Sequence, residues 1–286
     1  MRWQGRRQSG NVEDRRRSGG RGLAIGGGIG GVGGIVILVL YLLLGGNPSE
    51  ITQSLQGEGA VAPTEAGELS QEQREMGEFV SVVLADIEDV WNEQFRQMGA
   101  DYREPRLVLF SGQAESACGY NSAAVGPFYC PGDENVYLDL EFFEDMQREL
   151  DAPGDFVLAY VIAHEVGHHV QNLLGVMEEV STRQARLGER EANQLTVRLE
   201  LQADFLAGVW AHYARQSSDF LDSADIEEGI NAAGAVGDDR IMQRTQGRVV
   251  PDAFTHGTSA QRIRWFRKGL ESGDLEQGDT FSAARL

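Results

Sequence analysis

Between Gly22 and Ser49 the chain carries no charged residue, and Leu23 to Leu44 reads LAIGGGIGGVGGIVILVLYLLL, 22 apolar residues in a row. About 20 such residues span the hydrocarbon core of a bilayer, so this stretch predicts a transmembrane anchor over residues 22–46. Seven glycines between 26 and 34 dilute its first half and lower its helix propensity, although Gly is commoner in membrane helices than in soluble ones. A cleaved signal peptide is the rival reading. Against it, Leu44 would stand three residues before a cut after Gly46, and the nearest A-x-A, Ala60-Val61-Ala62, lies far downstream and is followed by Pro63.

Charge agrees with an anchor. Arg2, Arg6, Arg7, Arg15, Arg16, Arg17 and Arg21 stand against Glu13 and Asp14, a balance of +5 in residues 1–21, and everything beyond carries −24 of the net −19. The positive-inside tendency predicts residues 1–21 as an Arg-rich cytoplasmic arm. The rest of the chain from about residue 47 then lies outside, on a single-pass protein of the plasma or inner membrane. The bilayer is the expected partner of residues 22–46. Nucleic acid is not expected as a partner, because phosphate would be repelled over most of so acidic a body.

Residues 47–69 are polar, contain Gly and Pro and lack apolar periodicity, which predicts a flexible tether. Folding proper is expected over 70–286. Ser70 with Gln73 has the capping-box pattern, and Met76, Phe79, Val80, Val83, Leu84, Ile87 and Trp91 follow at helical spacing. RLVLFS and NVYLDL, on either side of a Gly/Pro-rich loop, predict two strands of a small sheet, with Asn135–Leu140 at its edge, where an extended peptide could pair. Helices are predicted over 155–174 (Asp155 as N-cap, Gly175 as stop), about 186–214, 223–236, and 259–272 (Ser259 as N-cap, Gly273 as stop). A few strands followed by helices make one α+β domain.

Cys118 and Cys130 flank the loop between the two strands. Outside the membrane such a pair is expected to form a disulfide, worth about 3 kcal/mol in the chain-entropy model. The residues that carry chemistry are His164-Glu165-Val166-Gly167-His168, inside the helical run DFVLAYVIAHEVGHHVQNLL. Residues i and i+4 share a helix face, so both imidazoles can reach one zinc ion while Glu165 points beside it as a base for water. Glu200, in LELQADFLAGVWA, is the candidate third ligand. Asp204, four residues on, can accept the ring N–H of a ligating His and fix its tautomer.

Three further histidines are read less sharply. His169 lies about 100° around the helix from His168 and is expected at the surface or in a supporting role behind the metal. His212 fits either a place near the same face or a capping role. His256, before a capped helix, fits either a donor to the oxyanion of a tetrahedral intermediate or a loop-fixing group.

AHEVGHHVQ, ELQADFLAGVW, ACGYNSAAVGPFYCPGDENVYLDLEFF and THGTSAQRIRWF together resemble the bacterial neutral zinc metallopeptidase family, membrane-anchored proteins that begin with an Arg-rich arm and one apolar segment. The likeness runs over nearly the whole chain. It implies one Zn²⁺ held by His164 and His168, Glu165 as catalytic base, a polypeptide substrate, and a thermolysin-like, minigluzincin-type zincin core of a small sheet and a helical bundle behind one transmembrane helix. The broader gluzincin pattern, HExxH followed by ExxxD on a second helix, carries the third ligand onto Glu200 and the supporting carboxylate onto Asp204. The 32 positions from His168 to Glu200 exceed the spacing of compact gluzincins and predict an insertion or a longer first turn between the helices. Asp238, Asp239 and Arg240 resemble a polar family motif, read as a salt-bridged loop. The alternative function is a membrane-anchored, zinc-containing binding or quality-control module with little turnover, which would have no need of Glu165.

Overall fold

The computed structural model describes residues 1–16, 68–122, 126–140, 154–217 and 220–286. Among these no helix is long and apolar enough to cross a membrane. The predicted anchor over 22–46 and nearly all of the predicted tether lie outside the described residues.

Four strands form the main sheet in the order β1-β2-β6-β5: β1 Val12–Asp14, β2 Arg106–Phe110, β5 Phe128–Cys130 and β6 Asn135–Asp139. β1 and β6 run parallel to β2, and β5 runs antiparallel to β6. The strands β3 (Gln113–Ser116) and β4 (Gly119–Ser122) form a separate hairpin. Leu107 to Phe110 are buried on both sides of the sheet, which is why LVLF is continuously apolar rather than alternating. Leu107, Leu109, Val136 and Leu138 face the main core, while Val108, Phe110 and Tyr137 form a second cluster with Ala114 of the hairpin and Cys130.

Helix α1 (Gln71–Gln97) opens with the expected capping box of Ser70 and Gln73 and buries Phe79, Val80, Val83, Leu84, Ile87 and Trp91. Helix α2 (Asp155–Leu173) is buried from Phe156 to Gln171 except at Val161, in keeping with its largely apolar sequence. Then come α3 (Val176–Gln184), α4 (Glu189–Ser217), α5 (Ser223–Ala235), α6 (Asp238–Gln246) and α7 (Ser259–Ser272). Helix α3 is the insertion implied by the His168 to Glu200 spacing. Helices α4 and α7 cross closely, so that a Cβ on Gly208 would overlap the Phe266 carbonyl and one on Gly269 the Phe205 carbonyl.

The molecule is therefore a helix-rich α+β fold with a small sheet, and several expectations need correction. Residues 1–16 are not a separate arm. They supply β1 and pack on α1, so the folded unit is not confined to 70–286. Asn135–Asp139 is an inner strand, paired on both sides, and the strand at that edge is β5. Gly154, with φ of 121°, takes the N-cap of α2 in place of Asp155, and there the Phe156 N–H reaches the Glu228 carboxylate at 3.4 Å. Thr258, not Ser259, caps α7, in a capping box with Gln261. The GDDRI segment is the first turn of α6 rather than a loop. Cys118 and Cys130 are disulfide-bonded as expected.

Candidate metal centre

Helices α2 and α4 pack closely enough at Gly167 that a Cβ there would stand 3.1 Å from the Ala203 carbonyl. That approach brings His164, His168 and Glu200 together, all buried, with their ligand atoms within 4.8 Å of one another. His164 Nε2 lies 3.1 Å from Glu200 Oε2, and His168 Nε2 lies 3.5 Å from Glu200 Oε1. Each imidazole is held from behind through Nδ1. His164 meets Asp204 Oδ1 at 2.9 Å, and His168 meets Gln171 Oε1 at 2.8 Å. Gln171 is itself fixed, donating to the Leu199 carbonyl and to Gln202 Oε1. An acceptor at Nδ1 selects the tautomer in which Nε2 can ligate a metal ion once it gives up its proton, and both Nε2 atoms point toward the same carboxylate.

The electrostatics demand positive charge at this point. Burial disfavours ionised His164, yet hydrogen bonds to Asp204 and Glu200 outweigh it and raise its pKa to about 9. Burial also works against ionised Glu200, but the His168 and His256 charges hold it well below the usual carboxylate range. Two imidazole nitrogens and a carboxylate form a nitrogen and oxygen donor set suited to Zn²⁺. Glu165, 9% exposed and next to His164, makes no hydrogen bond or ion pair among the described residues.

Asp204 is the hub of a buried network that sequence reasoning only half found. Arg262 grips it with two hydrogen bonds, Nε to Oδ2 and Nη2 to Oδ1, both 2.8 Å. Tyr160 donates its hydroxyl to the same carboxylate, and Arg262 also reaches the Val236 carbonyl. Burial opposes the Asp204 charge, but Arg262 dominates and takes its pKa down to about 2. Arg262 is 4% exposed and shares the buried face of α7 with Trp265 and Phe266. A charged residue three and four positions before core aromatics was the signal that could have revealed it.

His256 comes to the site on the loop between α6 and α7. Asp238 Oδ2 accepts the backbone N–H groups of Thr255, His256 and Gly257, while Oδ1 lies 3.2 Å from His256 Nδ1. Burial works against a charged His256 ring, but Glu200 and Asp238 raise its pKa. Asp239 holds Ser259 through both its N–H and its hydroxyl. The two aspartates thus build the loop that carries His256.

His169 is fully buried, which excludes the surface reading. It bonds Tyr129 of β5 through Nδ1 at 3.0 Å and the Arg103 carbonyl through Nε2, pinning the sheet to α2. His212 caps the end of α7, its Nδ1 lying 2.8 Å from the Leu270 carbonyl, so it takes the capping role.

A helix-rich α+β fold carrying HExxH and a glutamate from a second helix is the arrangement of a zinc metallopeptidase, and the chain belongs to the family described as "Putative neutral zinc metallopeptidase", matched over residues 1–281. It is 48% identical over 285 residues to the uncharacterized protein YpfJ of Escherichia coli K12, covering 98% of this chain and 99% of that one. It is also 48% identical over 195 residues to the uncharacterized proteins Mb2605 of Mycobacterium bovis and Rv2575 of Mycobacterium tuberculosis, 65% of each chain being covered. No solved structure matches it.

Proposed function

We propose that the protein is a membrane-tied zinc peptidase that hydrolyses peptide bonds, with one zinc held by His164, His168 and Glu200. The observation that carries this reading is the meeting of those three side chains on two helices, with the buried Glu165 following His164 in the chain. In such a donor set zinc supplies Lewis acidity, polarising a carbonyl oxygen and acidifying water.

The chain's own residues supply the rest. Glu165 takes a proton from the attacking water and passes it to the leaving amine. His256, oriented by Asp238, donates to the oxyanion as the carbonyl carbon becomes tetrahedral. Asp204 and Gln171 hold the two imidazoles in register, and Arg262 holds Asp204. The edge strand β5 offers backbone groups to an extended polypeptide. It is steadied by the disulfide at Cys130 and by Tyr129, whose hydroxyl meets both His169 and Asn172 of α2. A thermolysin-like zincin core accounts for this layout, and residues 22–46 tie it to the membrane.

The test is metal analysis of the full-length protein with cleavage of a peptide library. About one zinc per chain is expected. Glu165→Gln should keep the zinc and lose on the order of 10²–10⁴ in turnover. A wild-type protein that binds no zinc, or a Glu165→Gln variant of undiminished activity, would overturn the assignment.

A further inference from the structure

Residues 1–16 are held by the domain along their length. Backbone hydrogen bonds join Arg2 N–H to the Phe220 carbonyl, Ser9 N–H to Ser81, Leu107 N–H to Asn11 and Arg15 N–H to Leu109, at 2.8–3.1 Å. Trp3 packs edge-on against Phe79, and the Arg6 guanidinium lies over the Phe220 ring. Arg7 donates to the Ala85 carbonyl and pairs with Asp89. Most telling is Glu88 of α1, 2% exposed, whose carboxylate accepts from Ser9 Oγ at 2.5 Å and Asn11 Nδ2 at 2.8 Å, with Arg7 at 3.6 Å. Taken away, these residues would strip a buried carboxylate of its partners and leave the buried strand β2 with an open edge. Arg6, Arg7, Arg15 and Arg16, counted above toward an orientation signal, are used here as structural contacts.

The two ends of the intervening segment also meet. Arg16 Nη1 donates to the Gln73 carbonyl at 2.7 Å, in the first turn of α1. One membrane crossing between Arg16 and Gln73 would separate them by a hydrocarbon core of about 30 Å, and two crossings need about 40 apolar residues. The stretch from Leu23 to Leu44 has 22.

From these contacts we infer that residues 1–16 and the peptidase domain lie on the same side of the membrane. This rests on the membrane tie proposed above and replaces the expectation of a cytoplasmic arm with an outer domain. The Cys118–Cys130 disulfide assigns that side to an oxidising compartment.

Gln8 and Glu276 are exposed, and the native cysteines are bonded, so Gln8→Cys and Glu276→Cys variants of the full chain each carry one reactive thiol. Gln4→Cys serves as a second N-terminal probe. With a membrane-impermeant maleimide on intact spheroplasts, all sites should label to the same extent before permeabilisation. An N-terminal site that labels only after permeabilisation, while Glu276→Cys labels in intact cells, would overturn the inference. Alkaline extraction reads the tie separately. Retention with lipid is expected, and release would refute the tie while leaving sidedness to the labelling.

Discussion

The network behind the metal site turns on single residues. Arg262 offers Asp204 a planar fork of two donors, which lysine cannot reproduce. Arg262→Lys should therefore fold but lower zinc affinity about 10- to 100-fold, read by competition with a chelator, because His164 loses its fixed partner. Arg262→Met, which strands the Asp204 charge, should cost about 3–5 kcal/mol in denaturant unfolding. Asp86 gives a test with pH. It accepts from the Trp210 indole at 2.9 Å, and burial, countered by that bond and by Arg6 and Arg7 but aided by Asp89, raises its pKa to about 6. A carboxylate raised in the folded state binds its proton more tightly there, so its favourable contribution is complete below pH 3.8 and is lost as pH rises through about 6. Asp86→Asn should thus unfold later than wild type at pH 8, by about 1–3 kcal/mol, with the difference vanishing near pH 4. The meeting of His164, His168 and Glu200 was legible in the sequence, because helical periodicity alone puts the two imidazoles on one face and a carboxylate in LELQADF is out of place unless it has work. Arg262 was not legible there, nor was the part Asp238 plays, since their meaning depends on partners that only tertiary packing supplies.

Elements carry the next level of constraint. The reciprocal glycines of α4 and α7 set how near Asp204 comes to Arg262, so Gly208→Ala should separate the helices. A loss of about 1–3 kcal/mol is expected in thermal or denaturant unfolding, with a fall in zinc affinity that a remote destabilising change would not produce. The long helices were legible because their apolar residues recur at 3.6. Helix α6 was not, because DDRIMQRTQ is polar and its aspartates read as a loop, although they serve the backbone of the following segment. Strand β1 was invisible for a different reason: Val12-Glu13-Asp14 is short and charged, and only a buried neighbour in β2 makes it a strand. The edge was misplaced because β5, three residues long, gives no periodic signal.

At the scale of the whole molecule, the acidic balance that argued against nucleic acid also separates into roles. Glu200 and Asp204 hold the cationic site, Glu88 receives the N-terminal segment, and Asp238 and Asp239 shape the loop of His256. The tertiary framework thus uses acids where a typical core has none, each one met by an arginine, a histidine or backbone N–H groups.

Strand β1 has a consequence for the order of synthesis. Val12 pairs with Leu107, so β1 leaves the ribosome well before the strand it pairs with. Closing the sheet means bringing distant stretches of chain together, a slow, entropy-limited step. Closure of the sheet thus depends on long-range contacts, whereas the helices on which the candidate site sits are built from local ones.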